Sequence, residues 1–505
     1  MTISSIANNQ MKIKIVFISI FFVSLGIRFF YFPNELPLIA DGMDNFTYAT
    51  AINFYGYLPN EWAPANIGWS IFLSFWFWLI DLHSSLDYMQ FQRILSIVLS
   101  SLTTIPIYYL CRKFFNSKIS LVGVALFAFE PRIILNSTLG ITEPLFILLG
   151  ITSLVIFLRY SRKGTLIAFT LVSFTIIVRS EGIFLLITLS ILFFIKNKIS
   201  KEILKTYLPA MIIFLLILIP ISMYKSEVSG NDAMFDRVVG ATNQVIEISN
   251  NNNGNELLKG AELFIKYLGW IMIPIFLLFL PFGMIQLLRK RTKELNFILI
   301  FLASSSIPIL YAYIVQAQDT RYFYFLYPIF CLISLFAVET YISKVNRKNF
   351  IILFLIIVIL IASISFYEYK KIDYEKEREL NEIAQIINDK VSGINFHPSL
   401  IQYIRATEIP LKWPFLFFEE DHQIKSISTI NSDNLEDFIL NSKDDLTHLI
   451  VDDNPNIPGF LQDVYYNEEK YEYLNKVFDS KDRGFKHQVK VFEIDFQKLD
   501  FKNED

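Results

Sequence analysis

The chain has 505 residues, of which 53% are hydrophobic, 16% aromatic and 18% charged, with 49 Phe and a formal net charge of −3. That composition excludes an ordinary soluble enzyme and a nucleic-acid binder, and places the chain in the polytopic membrane class. The small net charge hides an asymmetry: residues 369–505 carry 17 Lys+Arg against 28 Asp+Glu, a net of −11, and residues 1–368 carry 28 against 20, a net of +8. A basic membrane body, 1–368, joined to an acidic soluble tail, 369–505, predicts two domains.

Hydrophobic spans of roughly 14–25 residues, about the length that crosses 30 Å of hydrocarbon, fall at 12–32, 91–110, 118–135, 144–160, 165–179, 182–195, 206–224, 262–288, 295–315, 322–342 and 349–368. The first is too long for a signal-peptide core and lacks a small-residue cleavage site, so it reads as a retained helix. Basic clusters lie at Arg112–Lys118, Arg159–Lys163, Lys196–Lys205, Arg289–Lys293 and Lys344–Lys348. With eleven spans all five share a side with Lys12 and Lys14, the cytoplasmic side by the excess of Lys and Arg there. A further crossing at Ile67–Ile80 would move every later cluster outside. That segment is therefore expected to be re-entrant or interfacial within the first external loop. The expected topology is N-in and C-out in the cell membrane.

The opposite side gathers Asp41 and Asp44, then Glu130 through Glu143, then Arg179-Ser180-Glu181, then Asp319-Thr320-Arg321. Ionisable groups at helix ends, far apart in sequence but on one membrane face, point to an outward-facing site. Asp44, Tyr48, Ala51 and Tyr55 follow at helical spacing, which puts an acid and a tyrosine on one face. Asp41 reads equally as an N-cap. Residues 225–260, rich in Asn and Gly, form an external loop, either simply mobile or covering a substrate. Cys111 and Cys331 read as core thiols, and the five His show no metal-ligand spacing.

In the tail, Tyr374, Leu380, Ile383 and Ile387 have helical spacing. Ile424–Ile430, Thr447–Val451 and Gln488–Phe496 read as strands, with a helix near Asn434–Leu440. A small α/β or α+β domain is expected. Asp452-Asp453-Asn454 reads as a turn, with a bound cation as the alternative.

Several motifs resemble those of one family, the membrane glycosyltransferases of the GT-C fold, particularly the protein O-mannosyltransferase and aminoarabinose-transferase group. Asp44-Asn45-Phe46-Thr47-Tyr48 with Gly56-Tyr57 is similar to its first-loop pattern, and Phe129-Glu130-Pro131 with Ile141-Thr142-Glu143-Pro144 to its second. Val178-Arg179-Ser180-Glu181-Gly182 resembles its Arg-x-Glu-Gly turn, and Asp319-Thr320-Arg321-Tyr322 with Pro328 its late Arg-Tyr…Pro element. The chain departs from the group in having Asn45 after the first acid. The Trp-Trp-Asp-Tyr-Gly motif of oligosaccharyltransferases is absent, so en bloc oligosaccharide transfer is not expected.

The resemblance implies an all-α GT-C-like membrane domain of about eleven helices, with interfacial helices in the first loop. It implies inverting transfer of a sugar from a polyprenyl-phosphate donor to a hydroxyl on protein, lipid or glycan. Phosphate leaves readily, so the main task is deprotonation of the acceptor by a carboxylate, whose pKa desolvation at the membrane edge would raise. Asp44 is the expected base, and Glu143 would orient the acceptor or tune Asp44. Arg321 and Arg179 would bind the lipid phosphate, which suits a guanidinium fork, or else anchor helix ends. Asp41, Tyr48, Glu181 and Tyr322 complete the expected substrate contacts, with Glu181 alternatively only a partner for Arg179. No cofactor is called for with certainty, and a divalent cation stays open. A lipid-linked-substrate flippase or transporter is the alternative function, and a membrane-anchored binding module a third.

Overall fold

The computed structural model describes residues 3–59, 63–64, 66–159, 161–197, 201, 203–229, 255–290, 293–370, 374–388, 391–397, 400–407, 425–429, 432, 434–455 and 457–502. Most of the Asn- and Gly-rich loop at 225–260 lies outside them. The described residues form two compact units.

The first unit comprises Met1–Phe32, Asn45–Leu79 and Phe91–Lys371. Its helices in chain order begin with α1 (Ile3–Phe30), α2 (Asp41–Tyr55), whose first turn falls in the other unit, α3 (Gly68–Leu79), α4 (Ser85–Leu102) and α5 (Thr104–Phe114). There follow α6 (Ser117–Ala128), α7 (Pro131–Ser137), α8 (Glu143–Phe157), α9 (Arg162–Val178), α10 (Ile183–Asn197) and α11 (Leu208–Ser229). Beyond them come Asn255–Met272, Phe276–Lys290, Lys293–Ile314, Tyr327–Ser343 and Lys348–Lys370.

Among the described residues seven helices are long and apolar enough to cross a membrane, and nine if each of two bent pairs is one span. Every segment expected to span is helical, but the count of eleven is not reached on length. The helix α8 stops at 15 residues and α9 at 17. The span expected at 262–288 is two helices bent by 112° at a break before Phe276, and 118–135 is α6 and α7 bent by 56°. Each break holds a proline, Pro274 or Pro131, which has no N–H to continue the ladder. The 67–80 segment is the 12-residue α3, too short to cross upright. Large apolar side chains such as Leu216, Leu278 and Phe350 are about two-thirds exposed, a surface suited to lipid.

One charge lies deep within this unit. Arg28 of α1 is fully buried, and its guanidinium donates to the Ser24 and Ala128 carbonyls, 3.1 and 3.0 Å away, and to the Ser24 hydroxyl. The carboxyl end of α6 thereby solvates a cation that the hydrocarbon would not.

The second unit comprises Pro33–Asp44, Ile80–Gln90 and Ile372–Asp505. Its sheet runs in the order β2 (Lys425–Ile427), β1 (Gly393–Asn395), β3 (His448–Asp452), β5 (Val489–Ile494), β4 (Leu474–Asp479). The first three strands are parallel and the last two pairings antiparallel. Side chains alternate across the sheet, as a period of two requires. Ile450, Val489 and Val491 enter one core with the helices Tyr374–Asn388 and Ile401–Thr407. Leu449, Val451, Phe492 and Ile494 enter another with Leu435–Asn441 and Gly459–Tyr466. The unit is a three-layer α/β sandwich. The periodicity at Tyr374–Ile387 and the strands after Thr447 and Gln488 are found where expected. The strands β1 and β4 were not foreseen, being three residues long in one case and polar on its outer face in the other.

The carboxyl edge of β1 and β3 carries a buried pair: His397 Nε2 lies 3.2 Å from Asp452 Oδ2, with side chains 2% and 1% exposed. Asp452, one of the three residues of the turn read alternatively as a cation site, thus pairs with a histidine. Burial acts to raise the Asp452 pKa, but the His397 hydrogen bond and charge and the Asn454 N–H outweigh it and hold the carboxyl below its ordinary 3.8. Burial, aided by Lys376 and opposed by Asp452, holds His487 below its ordinary 6.5. Burial likewise lowers His448 against the opposing charge of Glu493.

Both histidines therefore bind fewer protons folded than unfolded below about pH 6.5, and stability falls with pH there. The Asp452 contribution is present above about pH 4 and is lost on further acidification through its depressed folded value. Amide exchange of β1 and β3 in the full chain is expected to hold steady from pH 8 to about 6.5, then to lose protection on acidification, after correction for intrinsic rates. Unchanged protection at pH 5 would contradict this.

Candidate functional site

In the first unit the structure brings Arg179 and Glu181 together with Glu143, which precedes Arg179 by 36 residues. The N-terminus of α8 is opened by Thr142, Glu143 and Pro144, with proline suited to the first turn, where no N–H partner is needed. The helix α9 ends at Val178, and Arg179 leaves it in an extended conformation before the short 3-10 turn Ser180–Gly182. The geometry aims the Arg179 guanidinium back at α8. Nη1 lies 2.6 Å from Glu143 Oε1 and 3.2 Å from Thr142 Oγ1, and Nη2 lies 2.7 Å from Glu181 Oε1. Glu143 is 5% exposed, Arg179 14% and Glu181 29%. A planar five-donor fork can hold two carboxylates at once, where an ammonium could not fix both geometries. Packing at this corner is close. A Cβ on Gly182 would meet the backbone of Ile176 at 2.9 Å, which accounts for glycine after Glu181.

The neighbouring elements place the other expected residues differently. Tyr48 of α2 is fully buried, and its hydroxyl pairs with that of Tyr224 at 2.5 Å, which in turn donates to the Pro59 carbonyl. It joins α2 to α11 and presents no face to a ligand. Arg321 opens the short helix Thr320–Leu326, N-capped by Asp319, and its Nε lies 3.1 Å from Asp319 Oδ2. The Arg321 side chain remains 32% exposed. Tyr322 packs edge-on against Tyr313.

Asp41 and Asp44 belong to the second unit, in the first turn of α2. Both are exposed. Neither is the residue before the helix: that position is Ala40, at φ 48°, whose carbonyl accepts from the N–H groups of Met43 and Asp44. The N-cap expected at Asp41 is therefore displaced by one residue. Both carboxylates lie instead where the helix dipole favours negative charge.

Glu130 is fully buried and is not the loop residue it resembles in sequence. It N-caps α7 by accepting from the N–H groups of Arg132 and Ile133 at 2.6 and 2.9 Å, and its other oxygen pairs with Arg132 Nη1 at 3.1 Å. Arg132 also donates to the Ile273 and Trp270 carbonyls at 2.6 and 2.8 Å. The two broken spans are thus fastened to each other through one arginine. Arg132 was missed, as were Arg28, Arg93 and Lys225, each buried. The available signal was a cation within, or at the end of, an apolar run.

Among the described residues no group of three or more His, Cys, Asp or Glu is arranged to hold a metal ion.

Residues 75–224 match the model of a family described as dolichyl-phosphate-mannose-protein mannosyltransferase. No curated protein matches by sequence. Among solved structures the chain is similar to ArnT from Cupriavidus metallidurans bound to undecaprenyl phosphate, at TM-score 0.57 and 9% identity over 96% of this chain and 98% of that one. It is also similar to the oligosaccharyltransferase AglB from Archaeoglobus fulgidus in complex with an inhibitory peptide and a dolichol-phosphate, at TM-score 0.57 and 12% identity over 93% of this chain and 73% of that one. The apo form of the Archaeoglobus fulgidus oligosaccharyltransferase matches at TM-score 0.58 and 11% identity, over 87% and 69%. At such identities the likeness is one of fold. The chain is a multi-pass membrane protein of the GT-C fold that, over residues 75–224, matches the dolichyl-phosphate-mannose-protein mannosyltransferase family.

Proposed function

We propose that this protein is a membrane glycosyltransferase that moves a sugar from a polyprenyl-phosphate donor to a hydroxyl acceptor on protein, lipid or glycan. Transfer inverts the anomeric carbon and takes place at the external face of the cell membrane. The membrane domain, 1–368, carries the reaction, and 369–505 is extracytoplasmic. The observation that carries this reading is the fold shared with ArnT along nearly the full length of both chains, together with the family match over 75–224. ArnT is bound to undecaprenyl phosphate and AglB is in complex with a dolichol-phosphate.

The residues take roles suited to their surroundings. Asp44, exposed in the first turn of α2, accepts the acceptor's proton as the new C–O bond forms. The sugar leaves its phosphate, which retains the electron pair. Arg321, whose side chain is about a third exposed, binds that phosphate, and Tyr322 borders it. Glu143, held by Arg179, orients the acceptor. Both forks of Arg179 are committed to carboxylates, so its role is to hold Glu143 and Glu181 rather than phosphate. Asp41 contributes negative potential beside Asp44.

The test uses the purified full chain in nanodiscs with a panel of radiolabelled polyprenyl-phosphate sugars and candidate acceptors. Release of polyprenyl phosphate with one donor is the expected result and names the sugar. Specific binding of a donor without release, under every acceptor tried, would replace this reading with a transporter.

A further inference from the structure

The carboxyl ends of two packed helices enclose a feature that the proposed reaction does not use. A cavity of about 200 Å³ lies between the last turns of α5 and α8. From α5 it is lined by Tyr109, Leu110, Arg112 and Lys113, and from the end of α8 and the two residues after it by Val155, Leu158 and Arg159. Tyr109, Arg112 and Lys113 have the spacing i, i+3, i+4, so α5 turns one face into the cleft. Three cations stand at its wall and no carboxylate does.

Cations at helix ends are expected from the dipole alone. Two observations here go beyond that expectation. The charges border a formed cavity, with their side chains also exposed to solvent at its mouth. They are also crowded, since Lys113 of α5 lies within electrostatic reach of Lys196 at the end of α10. Arg112 Nη1 is tied to the Phe115 carbonyl at 2.9 Å, which fixes its position without neutralising it. The Arg159 side chain has no ion pair among the described residues. The rest of the wall, from Leu158 and Val155, is apolar. Ligand pockets for whole small molecules run to about 300–1,000 Å³. This one is smaller, and suits a headgroup whose apolar remainder lies outside along the helices.

We propose that this cleft binds the phosphate-bearing headgroup of an anionic phospholipid, with Arg112, Lys113 and Arg159 on the phosphate, Tyr109 beside it, and the acyl chains leaving past Val155. Basic pockets between membrane helices take anionic headgroups by this combination of charge and apolar wall. The ligand is a structural lipid at a place separate from the proposed donor site, and the inference does not depend on the glycosyltransferase reading.

The experiment is native mass spectrometry of the full chain in detergent, titrated with phosphatidylglycerol or phosphatidylcholine. Wild-type protein is expected to retain phosphatidylglycerol in preference. The triple variant Arg112→Gln, Lys113→Gln, Arg159→Gln is expected to lose affinity by on the order of 10²-fold, about five-fold for each charge removed. Val155→Phe, which narrows the cleft and keeps every charge, is expected to lose the same preference. The control Lys344→Gln with Arg347→Gln removes exposed cations from another basic cluster and is expected to match wild type. Equal retention of the two lipids, an undiminished triple variant, or an equal loss in the control would overturn the proposal. Displacement of phosphatidylglycerol by inorganic phosphate alone would overturn the lipid assignment in favour of a free anion.

Discussion

Asp44→Asn is expected to lower polyprenyl-phosphate release by about 10²–10⁴-fold, the usual worth of a positioned general base, with donor binding retained. The amide has nearly the shape of the carboxylate and leaves the first turn of α2 intact, but it cannot take a proton at neutral pH. The carboxylate at this place is exposed, in the first turn of a helix. In the proposed reaction it accepts a proton as the acceptor oxygen bonds to the sugar. The loss should appear in kcat, with KM for the donor little changed, because the base acts on the transition state rather than on the bound donor. Asp41→Asn, one turn earlier and equally exposed, removes charge without removing the base and should stay within about ten-fold. Steady-state kinetics with the donor identified by the release assay decide between them. Full activity in Asp44→Asn would move the base to another residue, and equal losses in the two variants would make the pair an electrostatic feature.

The fold was legible in the chain because hydrocarbon imposes a strict length and composition on whatever crosses it. Every expected span is helical, two of them as bent pairs. What could not be read was how many of them cross. Proline at 131 and 274 marks a break but not its angle, and a run such as 262–288 has the same hydropathy whether it is straight or folded back by 112°. The three-residue strand β1 carries too little pattern to rise above its surroundings.

The candidate site divides along the same line. Glu143, Arg179 and Glu181 could be read as functional charges at helix ends, and they do meet, because Arg179 leaves α9 in an extended conformation that turns it toward α8. Their meeting pairs Arg179 with two carboxylates, which only the distances reveal. Tyr48 had the right spacing from Asp44, yet spacing along one helix does not say what covers that face. Here it is Tyr224, 176 residues away. Glu130 reads as an external acid only until its N-terminal cap and its arginine are seen.

Removing that arginine is the other change expected to have a large effect. Arg132→Leu should destabilise the membrane unit by about 3–5 kcal/mol, the cost of leaving one partner of a buried pair alone. Glu130 is fully buried and would keep only two backbone N–H groups. The Trp270 and Ile273 carbonyls would lose their donor at the same time, at the point where the second span is broken. The double variant Arg132→Leu with Glu130→Gln retains an acceptor for the α7 N-terminus and removes the stranded charge. It should therefore recover part of the loss, and a double-mutant cycle on the full chain in nanodiscs, read by thermal unfolding, gives the coupling. Amide exchange near 270–276 should rise in Arg132→Leu and remain raised in the double variant, because neither restores the lost donor to the carbonyls. A single variant as stable as wild type would show that the two broken spans hold their angles without this link.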